Sequence, residues 1–266
     1  MLSRLRTPRP VERALDAPLL ELEDAALSYD LRIARGNRAM GRRVGSAAYG
    51  AGREGHRHWA VHTLSLAIAP GERVGIIGGN GAGKTSLLSL MAGVIDPTHG
   101  SVTRYGSAAA LIGIGTGMEN ALTGRENAEV AARLAGLRGA DATAAAVEAA
   151  DFADLGLMIN APVGAYSSGM RARLAFAIAT ATAPDLLLVD EVLSTGDERF
   201  REKAEARMNE RFATAGAVIM VSHDIGQISR RCTRALLMAE GRLVFDGAPD
   251  EAIARYREIP PDEPHR

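Results

Sequence analysis

Cysteine is almost missing from this chain of 266 residues. Cys232 is alone, so no intrachain disulfide can form, and a reducing, cytoplasmic setting is the simplest interpretation. Aromatic residues make up only 4% of the chain, which predicts a core built from Ala, Leu, Val and Ile. The chain also lacks 18 consecutive apolar residues, because Pro184 and Asp185 interrupt the nearest candidate. We therefore expect that it does not cross a membrane by itself.

The chain also has little net charge and few lysines. A formal charge of −1 gives no global reason to expect a nucleic-acid partner. Lys84 and Lys203 are the only lysines among the 31 basic residues, so arginine is the default cation. Lysine is favoured where a compact charge on a slim stem must enter a tight loop that the wider guanidinium group does not fit. Lys84 is therefore a candidate for such a place.

The hydrophobic pattern predicts an α/β fold in which a small antiparallel sheet leads into a parallel one. One domain is expected over residues 19–257, between tails at 1–18 and 258–266. An Ala-rich helical subdomain is expected at about 116–170, and an Arg- and Gly-rich insertion at about 30–58. A further helix is predicted from Arg171 to Ala181, just before the strand that ends in Asp190.

The segment 78–85 fits the phosphate-binding pattern G-x-x-x-x-G-K-[ST]. Its residues are Gly78, Gly79, Asn80, Gly81, Ala82, Gly83, Lys84 and Thr85. A short apolar strand precedes it and a helix beginning near Ser86 follows it, which is the context that this pattern needs. Glycines let backbone N–H groups converge on phosphates, Lys84 is placed to reach the outer phosphates, and the Thr85 hydroxyl to bind Mg²⁺. The alternative is an ordinary glycine-rich turn.

Two carboxylates and a histidine follow later strands. Asp190 and Glu191 end the apolar run 186–189, at the sheet edge where ligands bind in open parallel sheets. Asp190 is expected to face Mg²⁺, and Glu191 to orient or deprotonate an attacking water. The alternative is that the pair caps a helix. His223 follows the run 217–221, where a histidine is either catalytic or simply hydrogen-bonded.

Together these motifs resemble the nucleotide-binding subunit of ABC transporters, from about Leu19 to Tyr256. In that family Tyr29 matches the aromatic residue that stacks on adenine. The segment 166–170, Y-S-S-G-M, matches the signature usually written L-S-G-G-Q, and we call it the signature segment. The resemblance implies a Mg²⁺-linked Asp190, a catalytic Glu191, a dimer-facing loop at Ser194–Asp197 and a γ-phosphate sensor at His223.

The resemblance thus implies a P-loop ATPase that uses ATP and Mg²⁺. Its catalytic residues are Glu191 and His223, and its metal ligands are Thr85 and Asp190. The nucleotide contacts that it implies are Tyr29, Gly78, Gly79, Asn80, Gly81, Ala82, Gly83, Lys84, Thr85, Ser86, Ser167, Ser168, Gly169 and Asp197. Two copies are expected to sandwich ATP, each site combining Lys84 of one chain with Ser167 and Gly169 of the other.

Departures from the family pattern narrow the branch. The signature segment, the S-T-G-D loop and the segment 122–127 look like the ATPases that export O-antigen, capsule, teichoic acid or galactan. In relatives the insertion after Tyr29 can form a gate helix at the membrane interface, and the alternative here is a solvated Arg-rich loop. The glutamine that usually touches Mg²⁺ has no counterpart, since its place falls near Gly113 and the only glutamine is Gln227.

The resemblance implies the ATP-hydrolysing subunit of a bacterial exporter, peripheral on the cytoplasmic face of the inner membrane. Its expected partners are a second copy and an integral membrane permease, with a lipid-linked glycan as indirect cargo and no nucleic acid. A membrane-associated ABC regulator that transports nothing is the alternative. A nucleic-acid-linked ABC ATPase is disfavoured by the lack of a second ATPase domain, of a long coiled coil and of basic charge.

Overall fold

A computed structural model describes residues 17–30, 57–111, 118–190, 198–222 and 224–259. Its strands are β1 (Leu20–Asp30), β2 (Arg57–Ile68), β3 (Arg73–Ile77), β4 (His99–Arg104), β5 (Ala108–Leu111), β6 (Leu186–Asp190), β7 (Ala217–Val221), β8 (Arg234–Ala239) and β9 (Arg242–Gly247). Its α-helices are α1 (Lys84–Ala92), α2 (Gly124–Leu134), α3 (Gly139–Ala153), α4 (Ser168–Thr180), α5 (Glu198–Thr214), α6 (Ile225–Arg231) and α7 (Pro249–Glu258). Short 3₁₀ turns lie at Gly156–Asn160 and Val163–Ala165.

The chain divides into two compact units. The first unit comprises residues 1–19 and 104–218, and the second comprises residues 20–103 and 219–266. The phosphate loop 78–85 therefore belongs to the second unit, and the signature segment 166–170 to the first. The domain, subdomain and insertion bounds predicted from the sequence stay predictions, and residues 31–56 of the insertion lie outside the described residues.

The second unit contains the predicted antiparallel sheet, in the order β2-β1-β4. Strands β1 and β2 are antiparallel, in a register that runs from Leu20 opposite Ile68 to Tyr29 opposite His58. Helix α1 packs against both of these strands. This packing buries Leu87 and Leu88 completely, so the helix that follows the phosphate loop is anchored by apolar burial.

A parallel strand pair supports the phosphate loop in the same unit. Strand β3 pairs in parallel with β8, and β8 pairs antiparallel with β9. Arg234 at the start of β8 donates to Glu72 and, through two nitrogens, to Asp246. These hydrogen bonds to carboxylates, with Asp246 contributing most, raise the pKa of Arg234 above its ordinary value. The strand that leads into the loop is therefore held at its base by charge-assisted hydrogen bonds.

The first unit combines strands with a helical layer. Strand β5 pairs in parallel with β6. Helix α3 packs against both α2 and α4. Helix α4 begins at Ser168, three residues before the predicted start at Arg171, because the Ser167 hydroxyl caps it. Among the helices of the described ranges, none is long and apolar enough to span a membrane.

Candidate functional site

The phosphate loop joins a fully apolar strand end to a helix start. Val74, Ile76 and Ile77 of β3 are buried, so the strand enters the loop from the core. Helix α1 then begins at Lys84, with Gly83 as a cap that offers no side-chain hydrogen bond. Its first turn also carries no acidic residue. Since the first N–H groups of a helix lack intrahelical acceptors, this helix start is suited to an anion.

Backbone contacts fix the two ends of the loop. Gly78 has φ +149°, and a Cβ there would collide with the Met238 carbonyl oxygen. Gly83 has φ +97°, and a Cβ there would collide with the Ala60 carbonyl oxygen. Carbonyls of β8 and β2 therefore occupy the space that a side chain would need, and only glycine fits both places.

We expect Gly83→Ala to lower the free energy of unfolding by about 2–4 kcal/mol, because it combines a left-handed backbone with a backbone collision. Gly81→Ala is the matched control. Gly81 also has positive φ, +76°, but a Cβ on it would meet no atom of the described residues within 4 Å. It should lose only about 1 kcal/mol. Urea unfolding of both variants measures the difference, and equal losses would contradict the close approach of Ala60.

Lys84 is buried inside the loop, with 7% of the residue exposed. Its Nζ donates to the carbonyl oxygens of Gly78 at 2.8 Å and Gly79 at 2.7 Å. The ammonium group is thus held beneath the loop backbone by two acceptors of the same loop. This agrees with the interpretation of Lys84 as a compact charge in a tight space, where a guanidinium fork is too wide.

Tyr29 lies near the end of β1 and is 38% exposed. It faces His58 across the β1–β2 pair. Two residues further along β2, the Ala60 carbonyl borders Gly83 of the phosphate loop. Since a strand advances roughly 3.3 Å per residue, His58 lies within about 10 Å of the loop, and Tyr29 is one strand spacing, about 5 Å, further away. An exposed aromatic ring at that distance is compatible with contact to a base whose phosphates occupy the loop.

Tyr166 anchors the signature segment within the first unit, whereas there is free space beside Gly169. The Tyr166 hydroxyl is tucked inward and donates to the Met158 carbonyl oxygen at 2.6 Å, and burial raises the pKa of Tyr166. The Ser167 Oγ accepts from the Met170 N–H at 3.2 Å. Among the described residues, a Cβ on Gly169 would meet only the Ser167 Oγ, at 3.9 Å. The resemblance implied that Ser167 contacts the nucleotide, and its capping role was not predicted.

The segment 122–127 supports the signature segment through hydrogen bonds, and this role was not predicted from the sequence. Thr123 and Glu126 form a capping box at α2, and the backbone N–H of Thr123 lowers the pKa of Glu126. The buried Asn127 amide donates to the carbonyls of Glu119, Leu122 and Thr123. In turn, Leu122 accepts from the Val163 N–H, three residues before Tyr166. The S/T-x-x-E pattern could have predicted the capping box, but no local sequence pattern predicts the Asn127 contacts.

The metal and catalytic residues are placed only in part. Thr85 is the second residue of α1 in the second unit, and Asp190 is the half-buried last residue of β6 in the first. A hydroxyl and a carboxylate are ligands that suit Mg²⁺. Residues with predicted roles also fall outside the described ranges, namely Gly113, Glu191, Ser194–Asp197 and His223. Their roles stay predictions.

Comparison with known proteins identifies the family. The family model described as "ABC transporter" matches residues 61–194. A Klebsiella pneumoniae protein named O-antigen export system ATP-binding protein RfbB is 38% identical over 205 residues, which cover 77% of this chain and 83% of that protein. The chain belongs to the ABC transporter family. The resemblance inferred from the motifs is thereby confirmed.

Other relatives of this ABC protein are longer. The Teichoic acids export ATP-binding protein TagH of Listeria monocytogenes is 40% identical over 201 residues, covering 76% of this chain. The matched part spans 60% of that relative. The names of RfbB and TagH both belong to the exporter branch that the departures from the family pattern indicated.

Solved ABC structures share the fold. One, described as the ATP-binding subunit of an ABC transporter, has a TM-score of 0.65 at 21% identity, covering 91% of this chain and 94% of that one. Another, a dimeric ATP-binding cassette in a post-hydrolysis state bound to ADP and Pi, has a TM-score of 0.63 at 21% identity, covering 86% and 98%. The predicted fold class, an α/β P-loop ATPase core with an antiparallel sheet and a helical insertion, is confirmed.

Proposed function

We propose that this chain is the ATP-hydrolysing subunit of a bacterial ABC exporter that moves a polysaccharide or lipid-linked glycan across the cytoplasmic membrane. The observation that carries the proposal is the phosphate loop of Gly78–Thr85 with the buried Lys84 ammonium held inside it. The cargo class rests on relatives whose names state O-antigen and teichoic acid export.

ATP binds with its phosphates over the phosphate loop and the start of α1. Lys84 already has its ammonium group at the loop, and it exchanges carbonyl acceptors for phosphate oxygens when ATP enters. Tyr29 stacks on the adenine, and Ser86 and the loop amides hold the phosphates. Thr85 and Asp190 hold Mg²⁺, which when bound neutralises charge on the phosphate oxygens. Glu191 orients the attacking water, and His223 senses the γ-phosphate.

The nucleotide site is completed by a second copy of the chain. Ser168 and Gly169 begin a helix whose first turn has no acidic residue, and both are exposed or half-buried at its start. An accessible helix start of this kind favours an anion. Yet the signature segment contains neither a lysine nor a carboxylate, so it cannot replace the phosphate loop. It therefore acts on ATP held by the loop of another chain, together with Ser167 and the dimer-facing Asp197.

The membrane partner is an integral permease, which this subunit drives from the cytoplasmic face. The described residues supply no membrane-spanning helix, so the path for the cargo belongs to the permease. Nucleic acid is not a partner. Substrate choice rests largely with the permease.

The exporter proposal is tested in cells of the source bacterium lacking this gene. Restoring the unchanged gene should return the glycan to the cell surface. Lys84→Ala should leave the lipid-linked glycan inside, because the loop loses its cation. Extraction of lipid-linked glycan and surface labelling measure the two pools. Normal surface glycan without the gene, together with altered expression of other transporters, would contradict export and point to the regulator alternative.

A further inference from the structure

Helix α5 presents a ridge of side chains to two other helices of the first unit. The ridge consists of Phe200, Lys203, Arg207 and Arg211, spaced three or four residues apart so that they share one face of the helix. We call this set the α5 ridge. It includes Lys203, the one lysine that the phosphate loop does not explain.

An aromatic cluster forms the base of the ridge. Phe152 of α3, Phe176 of α4 and Phe200 of α5 have ring centroids 5.9 Å apart in each pairing. Two of the three pairs meet edge to face, which is the favourable geometry for aromatic rings. The three rings therefore fix one contact point that is shared by the three helices.

Cations of the ridge bind the end of α3. Lys203 Nζ lies 4.4 Å from the Phe152 ring centroid and donates to the Phe152 carbonyl oxygen at 2.9 Å. Arg207 lies over the same ring at 4.3 Å and pairs with Glu148 of α3. Because the last carbonyls of a helix lack intrahelical donors and carry partial negative charge, cations are favourable there.

The ridge binds the end of α4 as well. Arg207 donates to the Thr180 carbonyl oxygen at 3.1 Å, and Arg211 donates to the same oxygen at 2.8 Å. The side chains of Arg207 and Arg211 are only 14% and 12% exposed. Helix α5 thus donates to a carbonyl near the end of each of two other helices, and Arg207 contacts both α3 and α4.

The position of the ridge gives it a consequence for assembly. Helix α4 begins at the signature segment, and Phe200 lies in the first turn of α5. Phe176 of α4 contacts Phe200, so the start of α5 packs against the helix that begins at the signature segment. The proposed function assigns Ser167–Gly169 of this signature segment to the ATP site of the second copy.

We propose that the α5 ridge positions the signature segment for docking with a second copy, and that Arg207 is a positioning residue for ATP-driven dimerisation. The inference rests on the proposed function. It distinguishes two steps: binding of ATP by one phosphate loop, which lies in the other unit, and capture of that ATP by a partner chain. The ridge governs the second step.

The test uses Arg207→Lys, which keeps the charge but removes the planar fork that reaches Glu148, the Phe152 ring and Thr180 together. Arg201→Met is the matched control, since Arg201 is exposed on the same helix and is not part of the ridge. All variants carry Glu191→Gln to slow turnover. Fluorescent ATP titration at low protein concentration measures binding, and light scattering with ATP and Mg²⁺ measures dimerisation.

Arg207→Lys should raise the protein concentration needed for half-dimerisation about tenfold while ATP affinity stays within about twofold. Arg201→Met should match the parent in both. Unchanged dimerisation in a folded Arg207→Lys variant would overturn the inference. If that variant does not fold, Lys203→Met, at a more exposed site, replaces it, with the same expected results for dimerisation and ATP affinity. A parent chain that binds ATP yet never dimerises would instead refute the composite site, and the inference with it.

Discussion

Replacing Glu191 with glutamine is expected to reduce ATP turnover by roughly two or more orders of magnitude while ATP still binds. Glutamine keeps the shape of the side chain but removes the carboxylate that orients and deprotonates water. The residue directly follows Asp190, the last residue of the buried strand β6. Phosphate release measures turnover, and labelled ATP retained on the protein measures binding.

Glu198→Gln supplies the matched control, because Glu198 is an exposed carboxylate at the start of α5. Its turnover should equal that of the unchanged chain. Near-normal turnover in Glu191→Gln would place the base elsewhere. Loss of both binding and turnover would show that Glu191 supports the fold of the site rather than the chemical step.

Replacing Lys84 with methionine should weaken ATP binding about a hundredfold, and turnover should fall with it. The ammonium group is the cation held within the loop by the Gly78 and Gly79 carbonyls, and methionine preserves only the stem. Isothermal titration with ATP and Mg²⁺ measures the affinity, and circular dichroism confirms that the variant is folded.

Lys84→Arg separates charge from shape at the same position. The buried ammonium makes two short hydrogen bonds to loop carbonyls, and the wider guanidinium group does not fit that slot. Arginine should therefore restore less than about a tenth of the lost affinity. Full recovery with arginine would mean that positive charge alone suffices, contrary to the geometry of the loop.

The phosphate loop could be predicted from sequence because its determinants are local. The apolar strand, the glycines and Lys84 stand close together in one short stretch, and their backbone conformation is largely set by residue type. The antiparallel sheet was predictable for a similar reason, since partial alternation marks β1 and β2. The carboxylate at the end of β6 followed from a five-residue strand pattern.

Features that depend on distant residues could not be predicted. The aromatic cluster joins Phe152, Phe176 and Phe200, which are far apart along the chain and become neighbours only through helix packing. The start of α4 was predicted three residues late, because the hydroxyl of Ser167 can either cap a helix or face a ligand and the motif suggested only the second. Local pattern identifies the loop, and tertiary contacts determine how the signature is held.

A mixed cross-linking experiment shows whether ATP joins two copies of this chain. Both chains carry Cys232→Ser, although burial already raises the pKa of Cys232 to about 12. One chain also carries Ser86→Cys beside the phosphate loop, and the other carries Ser168→Cys in the signature segment. We expect ATP with Mg²⁺ to accelerate formation of a disulfide between the two different chains, and neither chain alone to form one. Chains that bind ATP yet form no ATP-dependent link between these positions would contradict it.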